Sequence, residues 1–100
     1  MRVFFTEEAR SDLREIGDYI AKDSNSQAGR VVRDLRSAAI ALGELPYGFA
    51  IVEGRADQEQ MRRCVRGRYS IFYFVEDNRV IVARVLHSAR DYIRVLFPDA

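Results

Sequence analysis

The chain opens on a short apolar run rich in aromatics, Arg2–Phe5, which predicts a strand. Thr6 then has the chemistry of a helix N-cap, and Glu7 and Glu8 place negative charge in a first turn, where the helix dipole favours it. Apolar residues recur at Ala9, Leu13, Ile16, Tyr19 and Ile20, a helical spacing with one buried stripe. Asp12, Arg14, Glu15 and Asp18 lie off that stripe and are expected in solvent, whereas Tyr19 is expected to line the core. A polar break, Lys22-Asp23-Ser24-Asn25-Ser26, supplies the next N-cap. The second stripe runs Ala28, Val31, Val32, Leu35, Ala38, Ala39 and Leu42, with Gly43 as the expected C-cap and Pro46 blocking continuation. Two amphipathic helices joined by a short polar turn form a hairpin, and both stripes need a sheet to cover.

Residues 46–60 read as loop, punctuated by Pro46, Gly48 and Gly54. From Met61 the period changes to that of strands: Met61–Arg66, a turn at Gly67, Tyr69–Glu76, a hairpin turn at Asp77-Asn78, and Arg79–His87. Ser88–Phe97 carries Ile93, Leu96 and Phe97 at helical spacing and predicts a short final helix. The fold class is therefore α+β, one domain over residues 1–100, in the order β-α-α-β-β-β-α. The last three strands are antiparallel neighbours because tight turns join them.

Strict alternation puts Tyr69, Ile71, Tyr73 and Val75 on one face of their strand and Ser70, Phe72 and Phe74 on the other. In the last strand it separates Val80, Val82, Arg84 and Leu86 from Ile81, Ala83, Val85 and His87. Both faces are largely apolar, so the face without the helical hairpin needs a cover of its own. The C-terminal helix, the 46–60 loop and a partner segment all fit that requirement.

Charge sharpens the picture. Net charge is +1, yet residues 1–60 hold 8 basic and 11 acidic side chains while residues 61–100 hold 8 and 4. Lys22 is the single lysine, so the basic character is arginine, whose planar fork suits carboxylates and phosphates. Arg62, Arg63, Arg66 and Arg68 cluster in sequence as candidates for a solvated edge that blocks aggregation, for a grip on the acidic residues of a partner protein, or for contact with a further protein or with phosphates. Phe72, Phe74 and Arg90 join them as binding candidates. Cys64 stands alone inside a strand, has no partner for a disulfide or a zinc site, and is expected as a small buried hydrophobe. No metal cluster, glycine-rich phosphate loop or cofactor motif occurs, so no cofactor is expected. No stretch approaches the roughly 18 apolar residues of a membrane helix, and the start of the chain does not read as a signal peptide. A cytoplasmic protein is expected.

Four segments carry a family resemblance. Phe5-Thr6-Glu7-Glu8-Ala9 with Asp12-Leu13, Ile16 and Tyr19 resembles the first helix of the ParE/RelE toxin superfamily. Arg62-Arg63-Cys64-Val65 before Gly67, Ile71-Phe72-Tyr73, and Val85-Leu86-His87-Ser88-Ala89-Arg90-Asp91 are similar to its three later strands and their close. The resemblance spans nearly the whole chain and favours the ParE branch. It implies a cognate antitoxin whose C-terminal segment wraps the toxin, higher-order toxin–antitoxin assembly, and DNA gyrase as the inhibited target, with no sequence-specific nucleic-acid contact. Two other activities stay open under the same resemblance. A RelE-type ribosome-dependent endoribonuclease would draw on His87 as acid or base with Arg63 and Arg84 on phosphate. An inert homologue would only bind antitoxin and act as a co-repressor.

Overall fold

The computed structural model describes residues 1–52 and 60–98. The elements follow the predicted order: β1 (Arg2–Phe5), α1 (Glu7–Ala21), α2 (Asn25–Ala41), β2 (Arg62–Arg66), β3 (Tyr69–Glu76), β4 (Arg79–His87) and α3 (Tyr92–Leu96). They build one sheet in the order β1-β4-β3-β2. β1 runs parallel to β4, and the other two pairings are antiparallel. Part of the 46–60 loop joins the edge of β2 through a bridge between Ile51 and Arg62, and its residues 53–59, Gly54 among them, lie outside the described residues.

Local chemistry explains the boundaries. The Thr6 hydroxyl accepts from Ala9 N–H at 3.0 Å and the Ser24 hydroxyl from Gln27 N–H at 3.2 Å, so each helix starts on a side-chain cap. Asp77 and Asn78 both take positive φ, 51° and 60°, the pair of left-handed residues that a tight hairpin between twisted strands requires. Gly43 does not terminate α2 by the left-handed route expected of it. A Cβ there would collide with the Met1 carbonyl oxygen, and the Met1 ammonium donates to the Gly43 carbonyl at 2.9 Å. The glycine serves a close approach of two chain segments instead.

The hairpin of α1 and α2 packs its stripes on one sheet face. Ala9, Leu13, Leu35, Ala39 and Leu42 meet Cys64, Ile71, Tyr73, Val80, Val82 and Val85. Cys64 is buried there as expected, and burial raises its thiol pKa. Tyr73 is fully buried and donates its hydroxyl proton to the Pro46 carbonyl at 2.8 Å, which ties the loop to the core.

Val85 shares that core with Val80 and Val82, against strict alternation. The ladder between β3 and β4 slips at Phe72/Tyr73, where Tyr73 pairs with Val82 and Phe72 with Arg84, leaving Ala83 as an extra residue. This β-bulge resets the alternation of β4. It coincides with the end of β1, which stops opposite Val82. Beyond that point the N-cap and a side chain of α1 take over the ladder: Thr6 donates to the Ala83 carbonyl at 2.8 Å, and Asp12 accepts Val85 N–H at 2.9 Å. Asp12, expected in solvent, is therefore buried.

The second sheet face is half covered by the chain itself. Phe72 and Leu86 are buried, and the Tyr92 ring of α3 lies 5.1 Å from that of Phe72. The pairing places Phe4, Ile81 and Phe74 in one row further along this face. There Phe4 stays exposed and Ile81 and Phe74 half-buried. Arg2 and Arg79 stack over the Phe4 ring at 5.7 and 5.5 Å.

Candidate functional site

The candidate arginines do not form one cluster: Arg63 points to the opposite face of β2 from Arg62 and Arg66, and those two sit at opposite ends of the strand. Arg62 turns toward the loop, donates to the Phe49 carbonyl at 2.7 Å and stacks 5.3 Å from the Tyr47 ring. Arg63 goes to the second face, where Nε donates to Ser70 Oγ at 2.9 Å and the guanidinium lies 4.7 Å from the Tyr92 ring. Ser70 Oγ and Ser88 Oγ sit 3.0 Å apart, continuing this chain beneath α3. Arg66 reaches α2 and grips Asp34 with two hydrogen bonds of 3.0 and 2.7 Å. Those bonds hold the Asp34 carboxyl below its ordinary pKa and raise that of the Arg66 guanidinium. Arg68 is exposed beside the Gly67 turn.

Arg66, Arg68 and Arg90 line one groove of about 930 Å³ between the turn end of the helical hairpin and the ends of β2, β3 and β4. Ile16, Val31 and Tyr69 give this groove apolar walls, and Glu15, Asp23 and Asp34 set negative charge opposite the arginines. Tyr19 belongs to the groove and not to the core: it is 70% exposed, with the Lys22 ammonium 5.8 Å from its ring. His87 also lines it, edge-on to Tyr69 with ring centroids 5.5 Å apart, and its Nδ1 accepts Ala89 N–H at 3.1 Å. Burial raises the Tyr69 phenol above its ordinary range.

His87, Arg63 and Arg84 are not brought together. His87 pairs across the strands with Tyr69 on the groove side, while Arg63 pairs with Phe72 on the face under α3. Arg84 is committed to Asp12 through two hydrogen bonds of 2.7 and 2.8 Å. Phe72, a binding candidate, is fully buried and presents no surface, whereas Phe74 is half-buried in the row with Phe4 and Ile81. Asp91 begins α3 without capping it through its side chain and sits 3.5 Å from Arg94. Sequence reasoning missed Asp12, Asp34 and the Ser70–Ser88 pair. Ser70, a small polar residue inside an apolar strand, carried a visible signal, and so did Asp12 through its place in the segment that resembles the family's first helix.

The helical hairpin on a four-stranded sheet has close structural counterparts. The chain superposes on the chromosomal ParDE toxin–antitoxin system from P. aeruginosa with a TM-score of 0.70, at 19% identity over 87% of this chain and 95% of that one. For the RelBE2 toxin–antitoxin complex from Mycobacterium tuberculosis the values are 0.65, 24%, 86% and 95%. The fold is thus one found in toxin–antitoxin complexes. Sequence narrows this further: residues 3–92 match the ParE toxin of the type II toxin–antitoxin system parDE, and the chain belongs to that family. It is also 36% identical over 90 residues to Toxin RelE2 of Caulobacter vibrioides, covering 89% of this chain and 97% of the relative.

Proposed function

We propose that this protein is a ParE-type toxin that inhibits DNA gyrase by binding it and is silenced by a cognate antitoxin. The supporting observation is the separation of His87, Arg63 and Arg84. Metal-free RNA cleavage needs an acid, a base and cations around one phosphate. Here the single histidine faces one side of the sheet, Arg63 faces the other, and Asp12 occupies Arg84. What the surface offers is binding area: an open groove with apolar walls and a half-covered apolar row at Phe4, Ile81 and Phe74. An antitoxin segment that filled either would bury apolar surface the chain leaves in water.

A ribosome-dependent endoribonuclease is the second reading. It is favoured by the likeness to a toxin named RelE2 and by the meeting of His87, Arg66, Arg68 and Arg90 in one groove. The acidic residues opposite them work against a phosphate ligand there.

The test combines purified toxin, gyrase and supercoiled plasmid, with linear DNA counted after detergent and protease treatment. Linear plasmid that disappears on adding antitoxin is the expected result. Normal supercoiling together with toxin-dependent cleavage of ribosome-bound message would overturn the gyrase reading in favour of the second.

A further inference from the structure

On the outer face of the helical hairpin, away from the sheet, α1 and α2 enclose a second, shallow groove of about 530 Å³. Its rim is Arg10 and Arg14 on α1 and Arg33 and Arg36 on α2, and among the described residues Asp18 is the one acid that lines it. All four arginines are exposed, and among the described residues none has an ion-pair partner. Arg33 lies back into the groove, its guanidinium 2.9 Å from where a Cβ of Gly29 would stand. Arg36 is steadied against the Phe5 ring at 5.8 Å.

Arg10 and Arg14 are spaced i,i+4 and Arg33 and Arg36 i,i+3, so each wall sets like charges on adjacent turns, an arrangement that destabilises a helix by itself. The groove gathers this charge in a chain whose net charge is only +1. An anion lying between the walls would relieve the repulsion.

The floor identifies the kind of anion. Leu13 and Ala28 are 2% and 7% exposed and Val32 is half-buried, so Val32 alone among these three offers an open apolar anchor. An acidic amphipathic helix would need open apolar sockets for its own stripe. A phosphodiester backbone needs only charge and donors, and guanidinium forks match phosphate oxygens in pairs. We infer that the outer face of the helical hairpin is a sequence-independent binding surface for the phosphate backbone of DNA, held by Arg10, Arg14, Arg33 and Arg36. The inference goes beyond the gyrase reading and stands on the toxin and DNA alone.

The test is fluorescence anisotropy of a labelled duplex of about 20 base pairs and arbitrary sequence, titrated with the full-length toxin at several salt concentrations. Four phosphate contacts give a slope of about −3.6 in log affinity against log salt, or roughly a 150-fold loss between about 50 and 200 mM. An Arg33→Gln/Arg36→Gln variant removes two contacts, so its loss over the same range falls to roughly 12-fold. Arg10→Gln/Arg14→Gln, on the opposite wall, should do the same, with circular dichroism unchanged in both. Wild-type toxin that ignores the duplex, or variants that keep the wild-type slope, would overturn the proposal. So would an oligoglutamate peptide that binds the toxin more tightly than the duplex does, which would assign the groove to an acidic protein.

Discussion

Two bidentate arginine–aspartate pairs join the helical hairpin to the sheet, and they differ chiefly in burial. Asp12–Arg84 links α1 to the bulge of β4, with side chains 6% and 25% exposed. Asp34–Arg66 links α2 to the end of β2, with side chains 47% and 53% exposed. The geometry is nearly the same and the worth is not. In water the two ions of a surface pair are well solvated apart, so joining them gains little. At the bulge, solvent is largely gone, Asp12 also satisfies the Val85 N–H, and removing either ion strands the other. One pair holds the fold, and the other shapes the wall of a groove.

The largest expected effect follows from breaking the buried pair from one side. Asp12→Ala should cost about 3–5 kcal/mol by leaving Arg84 without its counter-ion. Thermal unfolding should register that as a Tm lower by at least about 12 °C in a chain of this size. A drop of only a degree or two would show that water already reaches the pair. The comparison sharpens if both ions go together. Asp12→Leu/Arg84→Met removes the stranded charge and should recover much of the loss, yet Val85 N–H still lacks an acceptor. The double variant should therefore remain about 1–3 kcal/mol below the wild type, measurable by urea titration.

A neutral buried bond falls between the two pairs. Tyr73→Phe deletes the hydroxyl that donates to the Pro46 carbonyl and keeps the ring in the core. The expected cost is about 0.5–1.5 kcal/mol. A larger value from the same titration would mean that the bond also orders the loop before β2.

What could be read from the sequence follows the reach of each interaction. Thr6, Ser24 and the Asp77-Asn78 turn act within a few residues, so the element order and hairpin geometry were visible. The doubly apolar alternation of β3 also pointed to a second cover, part of which is α3. The bulge at Ala83 left no local trace, because an extra residue changes neither composition nor propensity. Asp12 read as solvated since its partners lie 72 and 73 residues away, and the burial of a carboxylate is decided by what the fold delivers to it. Tyr19 sits on the helical stripe, but the stripe runs on past the core into the groove. In the candidate site, Arg62, Arg63, Arg66 and Arg68 looked like one basic patch because sequence proximity hides both strand alternation, which turns Arg63 away, and the length of β2, which parts Arg62 from Arg66. Separating them requires knowing which face each packs against.

The exposed pair provides the smallest effect and the sharpest contrast in pH. Hydrogen bonding to Arg66 lowers the Asp34 pKa below its ordinary value of 3.8, with partial desolvation opposing. A carboxyl whose folded pKa lies below the unfolded one contributes stability at pH above the unfolded value, and loses it as pH falls through the folded one. Wild type and Asp34→Asn should therefore differ slightly at neutral pH and low salt, and converge on acidification through and below pH 3.8. Raising salt at neutral pH should also close the gap, because an exposed pair is screened. The Asp12→Ala deficit should survive the same salt, since the desolvated pair is shielded from it. Melting curves of both variants across pH and salt decide the matter. If Asp34→Asn melted as low as Asp12→Ala, the exposed pair would hold the fold after all, and burial would not be what separates the two.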